Sequence, residues 1–529
     1  MIKDNTPIIV GVGQYVSRET PTPEKFLSAL DIAGEAGRRA INDAHAITDL
    51  GAEIEVMAVS RLFEDSIRKV AIVSNPFGRS NNVPGSIARR IGINPRENIY
   101  CAVGGQTPQR LVNQMSERVH RGELGCALLV GAEAIANIKH AAKNDFELNL
   151  GEEIEGDFTD LWPIKNADKM ISEYEMAHGL FLPLQAYPLF ENAWRHNAGH
   201  SAEQHRQVMG KLFAGFTRVA AANEYSQFPV ERTAAYLATP AANNYLLSEP
   251  YTKWMVAQDV VNQGAAVVLT SVGKAREWGI PEQRWVYLRG YGDCEDINVI
   301  DRPDLRVSYA QNLAVGRALE SAGRTIDEIE HIDAYSCFPI AVLSACVAMG
   351  IDPATDRTLT LTGGLPFFGG PGNNYSMHAI AEAIARVRRE PGSYALVIAN
   401  GGYLSKHSAG VYGPAPEGDW RAVDNSDLKQ RLRDHGCASV TETPGGTGIV
   451  ESYVATYRRG QPAVGYIVGR DVKDDQRFLA TVKEDDVETL NALIDTEPMG
   501  RKVAVRNEGS VNTFRFASAD TASLLTSRT

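Results

Sequence analysis

The sequence predicts an α/β protein built from two similar halves, with a helix-rich insertion between them and a small all-β domain at the C-terminal end. Residues 101–133 and 361–402 both read as strand, glycine pair, helix and strand, which indicates an internal duplication. Strand-like sequence after about residue 440 indicates the β domain. Alternating strands and helices imply mainly parallel sheets, so two such halves predict a five-layered α/β/α/β/α body.

The first half, residues 1–140, opens with a β-branched run at 7–16 that is punctuated by glycine, as is typical of a buried strand. Apolar residues at helical spacing follow over 26–44, which predicts a helix. The other elements predicted in this half are strands at 54–59, 98–103 and 126–131 and helices at 83–91 and 107–121.

The second half, residues 261–418, repeats this order. Its glycine pair, Gly363-Gly364, follows a predicted strand at 358–361, just as Gly104-Gly105 follows the strand at 98–103. The other predicted elements are strands at 285–290, 329–334 and 394–400 and helices at 309–322, 340–349 and 376–389. The sequence therefore predicts a functional site where the two glycine loops meet.

Residues 141–260, between the halves, are helix-rich and aromatic, and a long insertion of this kind is a common place for a lobe that covers a ligand. A turn or linker at 443–448 precedes a β-rich segment, so residues 440–529 predict a separate barrel-like domain. Its predicted elements are strands at 449–457, 464–468, 477–481, 502–506 and 513–516 and one helix at 487–494.

Composition limits the classes of function. The formal net charge is −12, so we expect no nucleic-acid or anionic-membrane partner. No apolar run approaches the roughly 20 residues that a membrane-spanning helix needs. The chain opens directly into an apolar strand, so no signal peptide is expected. The six cysteines are scattered without a CxxC pair, which favours a reducing, cytoplasmic location over a zinc site or a disulfide framework.

Three motifs in the right order resemble the thiolase superfamily. They are the glycine–alanine strand Asn262-Gln-Gly-Ala-Ala266, the loop Tyr335-Ser-Cys-Phe338 and the loop Gly363-Gly-Leu-Pro-Phe-Phe-Gly-Gly-Pro371. The resemblance covers nearly all of residues 5–415 and is nearest to the sterol-carrier-type thiolases. With its extra β domain, the chain resembles the thiolase-like proteins of type 1. The resemblance implies an acyl-CoA ligand and assembly as a homodimer, with a monomer also left open.

The chain departs from the thiolase pattern at the positions that carry chemistry. The nucleophilic cysteine of thiolases falls on Gly105 and the histidine of the Gly-His-Pro loop falls on Gly370. The asparagine or histidine that holds a thioester oxygen falls on Tyr335, and the second cysteine falls on Ile398. A glycine supplies only its backbone N–H, so the resemblance implies that ordinary thiolase activity is absent.

Candidate residues remain on these loops. Cys337 matches a cysteine of the sterol-carrier-type loop, and polar residues beside it or in the other glycine-rich loops are candidates for moving protons. The catalytic candidates are Cys337, His378, Tyr335 and His407. The candidates for binding a CoA thioester are Gly104, Gly105, Gly363, Gly364, Gly370, Asn374, Gly401 and Gly402.

Other conspicuous side chains have ordinary interpretations. Cys101 lies on an apolar strand, so a buried and unreactive thiol is expected. His196, His200 and His205 lie close together in the insertion, where a solvated surface is favoured over a metal site. We expect no metal and no cofactor besides a CoA thioester as substrate or ligand.

Two functions follow from the resemblance and the departures. The first is an enzyme that handles an acyl-CoA thioester, by acyl transfer or by forming or breaking a carbon–carbon bond, without a cysteine nucleophile. The alternative is a catalytically silent acyl-CoA-binding or scaffold protein that acts with a partner. The polar residues on the glycine loops favour the enzyme.

Overall fold

The computed structural model describes residues 2–66, 75–161 and 171–517. The first half contains β1 (Pro7–Val16), α1 (Ala29–Asp43), β2 (Val56–Val59), α2 (Val83–Ile91), β3 (Glu97–Tyr100), α3 (Thr107–His120), β4 (Cys126–Ala134) and α4 (Ile135–Lys143). The insertion contains β5 (Thr159–Asp160), α5 (Glu173–Ala177), α6 (Pro183–Asn197), α7 (Ala202–Ala222), α8 (Ala234–Ala238), β6 (Leu246–Ser248) and β7 (Tyr251–Thr252).

The second half contains β8 (Asn262–Ser271), α9 (Val272–Glu277), β9 (Tyr287–Glu295), α10 (Tyr309–Ala322), β10 (His331–Ala334), α11 (Pro339–Met349), α12 (Tyr375–Arg389), β11 (Ala395–Gly401) and β12 (Lys406–Gly413). The C-terminal region contains α13 (Leu428–Asp434), β13 (Thr447–Arg458), β14 (Gln461–Asp471), β15 (Arg477–Val482), α14 (Val487–Asp495), β16 (Lys502–Asn507) and β17 (Asn512–Phe516).

Two sheets and three helical layers form the body, as predicted. One sheet has the order β1-β8-β4-β2-β3-β5 and the other the order β10-β11-β12-β9. Helices α3 and α12 contact each other and strands of both sheets, so they form the central layer. Helices α1 and α2 cover the outer face of the first sheet, and α10 and α11 cover that of the second. Strands β4 and β11 are buried on both faces, which explains their continuous apolar sequence.

Two predictions about the second half are wrong. Residues 358–361 form no strand, because the N–H groups of Leu361 and Thr362 donate to the carboxylate of Asp333 rather than to a neighbouring strand. His407, expected in a loop, lies in the buried strand β12, which pairs with β9 and β11. Strand β12 escaped prediction because its lysine, histidine, serine and glycines lack an apolar pattern.

The C-terminal strands and their one helix occur where the sequence predicts them, and they form a closed barrel with its own apolar core. The hairpin β6–β7 of the insertion also joins this sheet, since Ser248 pairs with Thr456 of β13. The insertion itself is mainly helical. Within the residues that the structure describes, no helix is both long and apolar enough to cross a membrane.

Candidate functional site

The first glycine pair lies at the head of the central helices. The N–H of Gly104 donates to Asn373 Oδ1 at 2.9 Å, and the carbonyl oxygen of Gly105 accepts from Ser376 Oγ at 2.6 Å. Asn373 lies just before α12 and Ser376 lies in its first turn, so the N-terminal ends of α3 and α12 are joined here. Among the described residues no acceptor pairs with the N–H of Gly105, and Gly105 lies just before the N-terminal end of α3, where a helix favours negative charge.

Tyr335 fills the space next to Gly105. A β-carbon on Gly105 would overlap the Tyr335 hydroxyl oxygen and would lie 2.5 Å from the carbonyl oxygen of Asn400. Burial, with a smaller contribution from nearby Cys337, raises the pKa of Tyr335 far above its usual range, so this hydroxyl is a proton donor at neutral pH. The volume that a cysteine side chain would need at position 105 is therefore taken by a phenol.

Cys337 lies beside the same strand end. Its Sγ is 3.8 Å from Asn400 Nδ2, and burial raises the pKa of the thiol to about 12, even though a hydrogen bond with Tyr187 acts in the other direction. A thiol with such a pKa carries almost no thiolate at neutral pH, so it is a poor nucleophile. Cys337 therefore lines the site as a neutral group.

Tyr187 of α6 was not predicted, yet it organises the last glycine loop. Its hydroxyl accepts from Asn400 Nδ2 at 2.8 Å and from the Leu404 N–H at 3.1 Å, and it donates to the Gly402 carbonyl at 3.2 Å. Its ring stacks on Phe338 with the centroids 4.2 Å apart. The inserted lobe thus reaches into the site. An aromatic residue in an aromatic helix gives no sequence signal of this role.

The first glycine pair lies against the last glycine loop. Gly105 lies against Asn400 and Gly401, since a β-carbon on Gly401 would be 3.1 Å from the Gly105 nitrogen. The second pair instead packs against α7, because β-carbons on Gly363 and Gly364 would overlap Ala220 and Phe216. The loop that faces the first glycine pair is therefore the one at 400–402.

The N–H groups of the second pair are also already used. Gly363 donates to Thr360 Oγ1 at 2.9 Å and Gly364 to Thr362 Oγ1 at 3.2 Å. Both threonine hydroxyls in turn bond to Asp333 Oδ2 at 3.1 Å, and burial raises the pKa of this carboxyl to about 6. Buried Asp333 therefore fixes the conformation of this loop through the two threonines. The two glycines offer no free pair of N–H groups for an anion.

The remaining binding candidates hold the fold around the site. Gly370 donates its N–H to the Gln258 carbonyl at 2.8 Å. Asn374 donates from Nδ2 to the Gly131 carbonyl at 2.7 Å, which fixes the start of α12 against the first sheet. Gly401 and Gly402 close the end of β11 next to Gly105. Of this group, only Gly401 and Gly402 lie in the loop that faces Gly105.

The two candidate histidines are buried in separate networks. His378 Nδ1 donates to Gln14 Oε1 at 2.7 Å, and His407 Nε2 lies 2.9 Å from Ser308 Oγ, which bonds to Asp296. Burial lowers the pKa of His378 to about 3 and that of His407 to about 4, so both are neutral above pH 6. Within the described part of the chain, no hydrogen bond joins either of them to Cys337 or to the other.

Two buried acceptors next to Gly105 and Gly401 lack partners among the described residues. Gln106 Oε1 lies against Gly104 and Gly401, where a β-carbon on either glycine would overlap it, and Asn400 Oδ1 is the free end of the amide that bonds to Tyr187. A buried polar atom without a partner costs folding free energy. Unpaired acceptors of this kind therefore mark a place where a ligand or a water molecule donates a hydrogen bond. Sequence reasoning named neither residue.

Two expectations about other residues have clear outcomes. Cys101 is fully buried, as predicted, and burial raises its thiol pKa to about 12. The expectation of a solvated surface is wrong for His205, which is buried with its Nε2 2.6 Å from Glu191 Oε1. Among the described residues no cluster of three or more His, Cys, Asp or Glu side chains is placed to hold a metal ion.

Comparisons with known proteins identify the family of this chain. Residues 427–510 match the family described as "Thiolase-like protein type 1 additional C-terminal domain". A monomeric SCP2-thiolase-like protein type 1 from Mycobacterium smegmatis is 36% identical, with 98% of this chain and 100% of that chain covered and a TM-score of 0.82. Among the curated proteins none matches this chain.

Two more distant structures share the fold alone. Human mitochondrial 3-ketoacyl-CoA thiolase is 13% identical, with 78% of this chain and 99% of that chain covered and a TM-score of 0.54. An Ltp2–ChsH2(DUF35) aldolase is 18% identical over the same shares, with a TM-score of 0.56. The relative from Mycobacterium smegmatis and the family model over residues 427–510 show that this chain belongs to the thiolase-like proteins of type 1.

Proposed function

We propose that this protein binds an acyl-CoA thioester and acts on it, by acyl transfer or by forming or breaking a carbon–carbon bond, without a covalent acyl-enzyme. One observation carries the proposal: the Tyr335 hydroxyl, a protonated phenol, lies beside the unpaired N–H of Gly105 at the head of a central helix. These two donors suit a thioester oxygen that gains negative charge during reaction.

The absence of a covalent step follows from the groups present. Gly105 has no side chain, the space beside it is filled, and Cys337 holds its proton at neutral pH. Tyr335 would act as the proton donor to a developing enolate or alkoxide. The fold is compatible with carbon–carbon chemistry, since it also occurs in a protein described as an aldolase.

The unpaired acceptors Gln106 Oε1 and Asn400 Oδ1 support a ligand that brings N–H donors. The pantetheine arm of CoA carries two amides, so it can donate to both acceptors while its thioester carbonyl receives the Tyr335 hydroxyl and the Gly105 N–H. This arrangement would give partners to Gln106 Oε1, Asn400 Oδ1 and the Gly105 N–H. We further propose that the protein acts as a monomer, as its relative from Mycobacterium smegmatis is described.

Ligand-dependent thermal unfolding tests the proposal. Protein would be heated with CoA, acetyl-CoA or longer 3-oxoacyl-CoA esters, each at a concentration well above its Kd. A ligand that binds only the native state stabilises it by about 2.7 kcal/mol at 100 times its Kd. We expect stabilisation by acyl-CoA esters and its loss in Tyr335→Phe, which keeps the ring and removes the donor. No stabilisation by any ester would contradict acyl-CoA binding and favour the scaffold alternative.

Intact-mass spectrometry after incubation with acetyl-CoA tests the absence of an acyl-enzyme. We expect an unchanged protein mass under conditions where a thiolase with its cysteine gains one acetyl group. A mass gain that maps to Cys337 would show that this thiol is activated when ligand binds, and the non-covalent route would then be wrong.

A further inference from the structure

The C-terminal barrel has a recognisable strand order. Strand β13 pairs with β14, β14 with β15, β15 with β17, β17 with β16, and β16 closes back on β13. The pair β15–β17 is parallel and the others are antiparallel, and α14 lies between β15 and β16 in sequence. A five-stranded Greek-key barrel of order 1-2-3-5-4-1 with a helix between its third and fourth strands is the OB fold.

An OB fold binds its ligands on the face of its second and third strands and on the adjoining loops. Here those strands are β14 and β15. Side chains alternate along them: Ile467 and Phe478 belong to the core of the barrel. Tyr466, Val468 and Leu479 point outward, yet they are fully buried in the main core of the protein. The face that binds ligand in other OB folds is therefore covered in this chain.

The covering segment is α5 with the turn that follows it. Tyr174 Oη accepts from the Leu479 N–H at 2.9 Å and from Asn512 Nδ2 at 3.1 Å. His178 Nδ1 donates to the Tyr174 carbonyl, so its Nε2 is free to accept the Asn512 N–H at 2.9 Å. Gly179 lies against the Tyr466 ring. Two side chains four residues apart, one on α5 and one at its C-terminal cap, thus accept from backbone N–H groups of β15 and β17.

The same segment touches the candidate site on its other side. Glu175 is buried and accepts the Ile300 N–H at 2.8 Å, and the Phe181 carbonyl accepts the Tyr403 hydroxyl at 2.7 Å. Tyr403 follows Gly402 directly in the loop that faces Gly105. Helix α6, which carries Tyr187 to this loop, begins two residues after Phe181.

We propose that the C-terminal barrel is an OB-type binding module whose resident ligand is segment 172–181 of the same chain, and that this contact positions the loop 401–405 of the candidate site. The module then serves the body of the protein instead of an oligonucleotide or an oligosaccharide. The proposal goes beyond the proposed function and does not depend on which ligand the site binds.

Amide hydrogen exchange on the full chain without ligand tests the proposal. Tyr174→Phe removes one hydroxyl, which leaves the Leu479 N–H without its acceptor and takes one of three acceptors from Asn512 Nδ2. The matched control is Tyr457→Phe, which removes a barrel hydroxyl that bonds to Glu249 Oε1 at 2.9 Å, on the other contact with the insertion. In each variant, the backbone amides near the lost hydrogen bond should exchange faster. Only Tyr174→Phe should also exchange about tenfold faster over residues 401–405, because loss of the barrel contact frees this loop.

Unchanged protection of 401–405 in Tyr174→Phe, with faster exchange at 172–181, would overturn the positioning role. Asn512→Ala, which acts from the barrel side, provides a second test if Tyr174→Phe does not fold, and the same exchange pattern is expected. Addition of single-stranded oligothymidine to the wild-type protein tests the resident-ligand role. Protection of 172–181 should not change, and its loss on addition of the oligonucleotide would show that an external ligand displaces the segment.

Discussion

The hydroxyl oxygen of Tyr335 lies so close to the α-carbon of Gly105 that no β-carbon fits between them. In a thiolase these two positions carry an amide or imidazole side chain and the nucleophile. Here the large side chain of Tyr335 occupies the volume that a side chain at position 105 would need. The loss of the cysteine is therefore one part of a rebuilt site and is not reversed by restoring a single residue.

We predict that Gly105→Cys does not create a reactive nucleophile and costs about 1–3 kcal/mol of stability, because the new side chain must displace the Tyr335 hydroxyl and the Asn400 carbonyl. Chemical denaturation of the variant checks this value. Gly316→Ala is the matched control: Gly316 lies in α10 with no atom within 4 Å of its β-carbon position, so alanine there should add about 0.5–1 kcal/mol.

The same contact predicts that the two positions are coupled. In a Tyr335→Ala background the phenol is gone, so Gly105→Cys should cost less than it does in the wild-type protein. A double-mutant cycle measured by denaturation gives the coupling energy. Equal costs in the two backgrounds would show that the Asn400 carbonyl, and not Tyr335, determines whether position 105 accepts a side chain.

Alkylation should distinguish the cysteines. We predict that iodoacetamide at pH 8 modifies exposed Cys437 rapidly and leaves Cys337 and Cys101 unmodified, since burial raises the pKa of both of these thiols to about 12. Peptide mass spectrometry after timed labelling checks the order, and labelling in denaturant provides the fully modified reference. Rapid modification of Cys337 in the native protein would contradict a neutral thiol at the site.

The layered body could be predicted because its signals are local and repeated. The continuous apolar runs of β4 and β11 and the repeated glycine pairs can be recognised in a single sequence. Strand β12 could not be predicted, because its stability comes from pairing with β9 and β11 and not from its own polar sequence. Residues 358–361 also depend on tertiary contacts. The N–H groups of Leu361 and Thr362 donate to the carboxylate of Asp333, which is distant in sequence, so no strand forms.

The candidate site was less predictable than the fold. Tyr335 and Cys337 follow from the motif in which they lie, but their roles depend on which residue faces them. Tyr187 comes from another lobe, and only tertiary contacts bring it to Asn400. The sequence places His378 at the start of a predicted helix, where polar residues are conspicuous, yet the structure places it against Gln14, and its catalytic role stays a prediction.

Asp333 should be essential for the loop at 360–364. Asp333→Ala leaves the buried N–H groups of Leu361 and Thr362 without an acceptor, and each unsatisfied donor costs about 1–3 kcal/mol. Asp333→Asn keeps an oxygen in the same place, so we expect it to be destabilised by less than half as much. Urea unfolding of both variants at pH 7 checks the difference. Equal loss in the two variants would mean that the charge, and not the hydrogen bonds, holds the loop.

The pH dependence of stability should carry a contribution from His378. Its pKa is about 3 in the folded protein, because of burial, against a usual value of about 6.5. Below pH 6.5 the unfolded chain binds a proton here that the folded protein does not, so the stabilisation is complete above pH 6.5 and is lost as the pH falls toward 3. The pKa of Asp333 is raised to about 6 in the folded protein, which has the opposite effect. Its contribution to stability is lost as the pH rises from about 4 to 6.

Comparison with His378→Asn isolates the histidine, because Asp333 contributes equally to both proteins. Asparagine keeps a donor for Gln14 and does not titrate. The wild-type protein should lose stability relative to the variant by about 1.4 kcal/mol per pH unit between about pH 6 and 4, as one proton requires. Urea unfolding at half-unit steps of pH checks this slope. A difference between the two proteins that stays constant from pH 7 to pH 4 would mean that His378 takes up its proton in the folded protein as readily as in the unfolded chain, and that this part of α12 opens to water without unfolding.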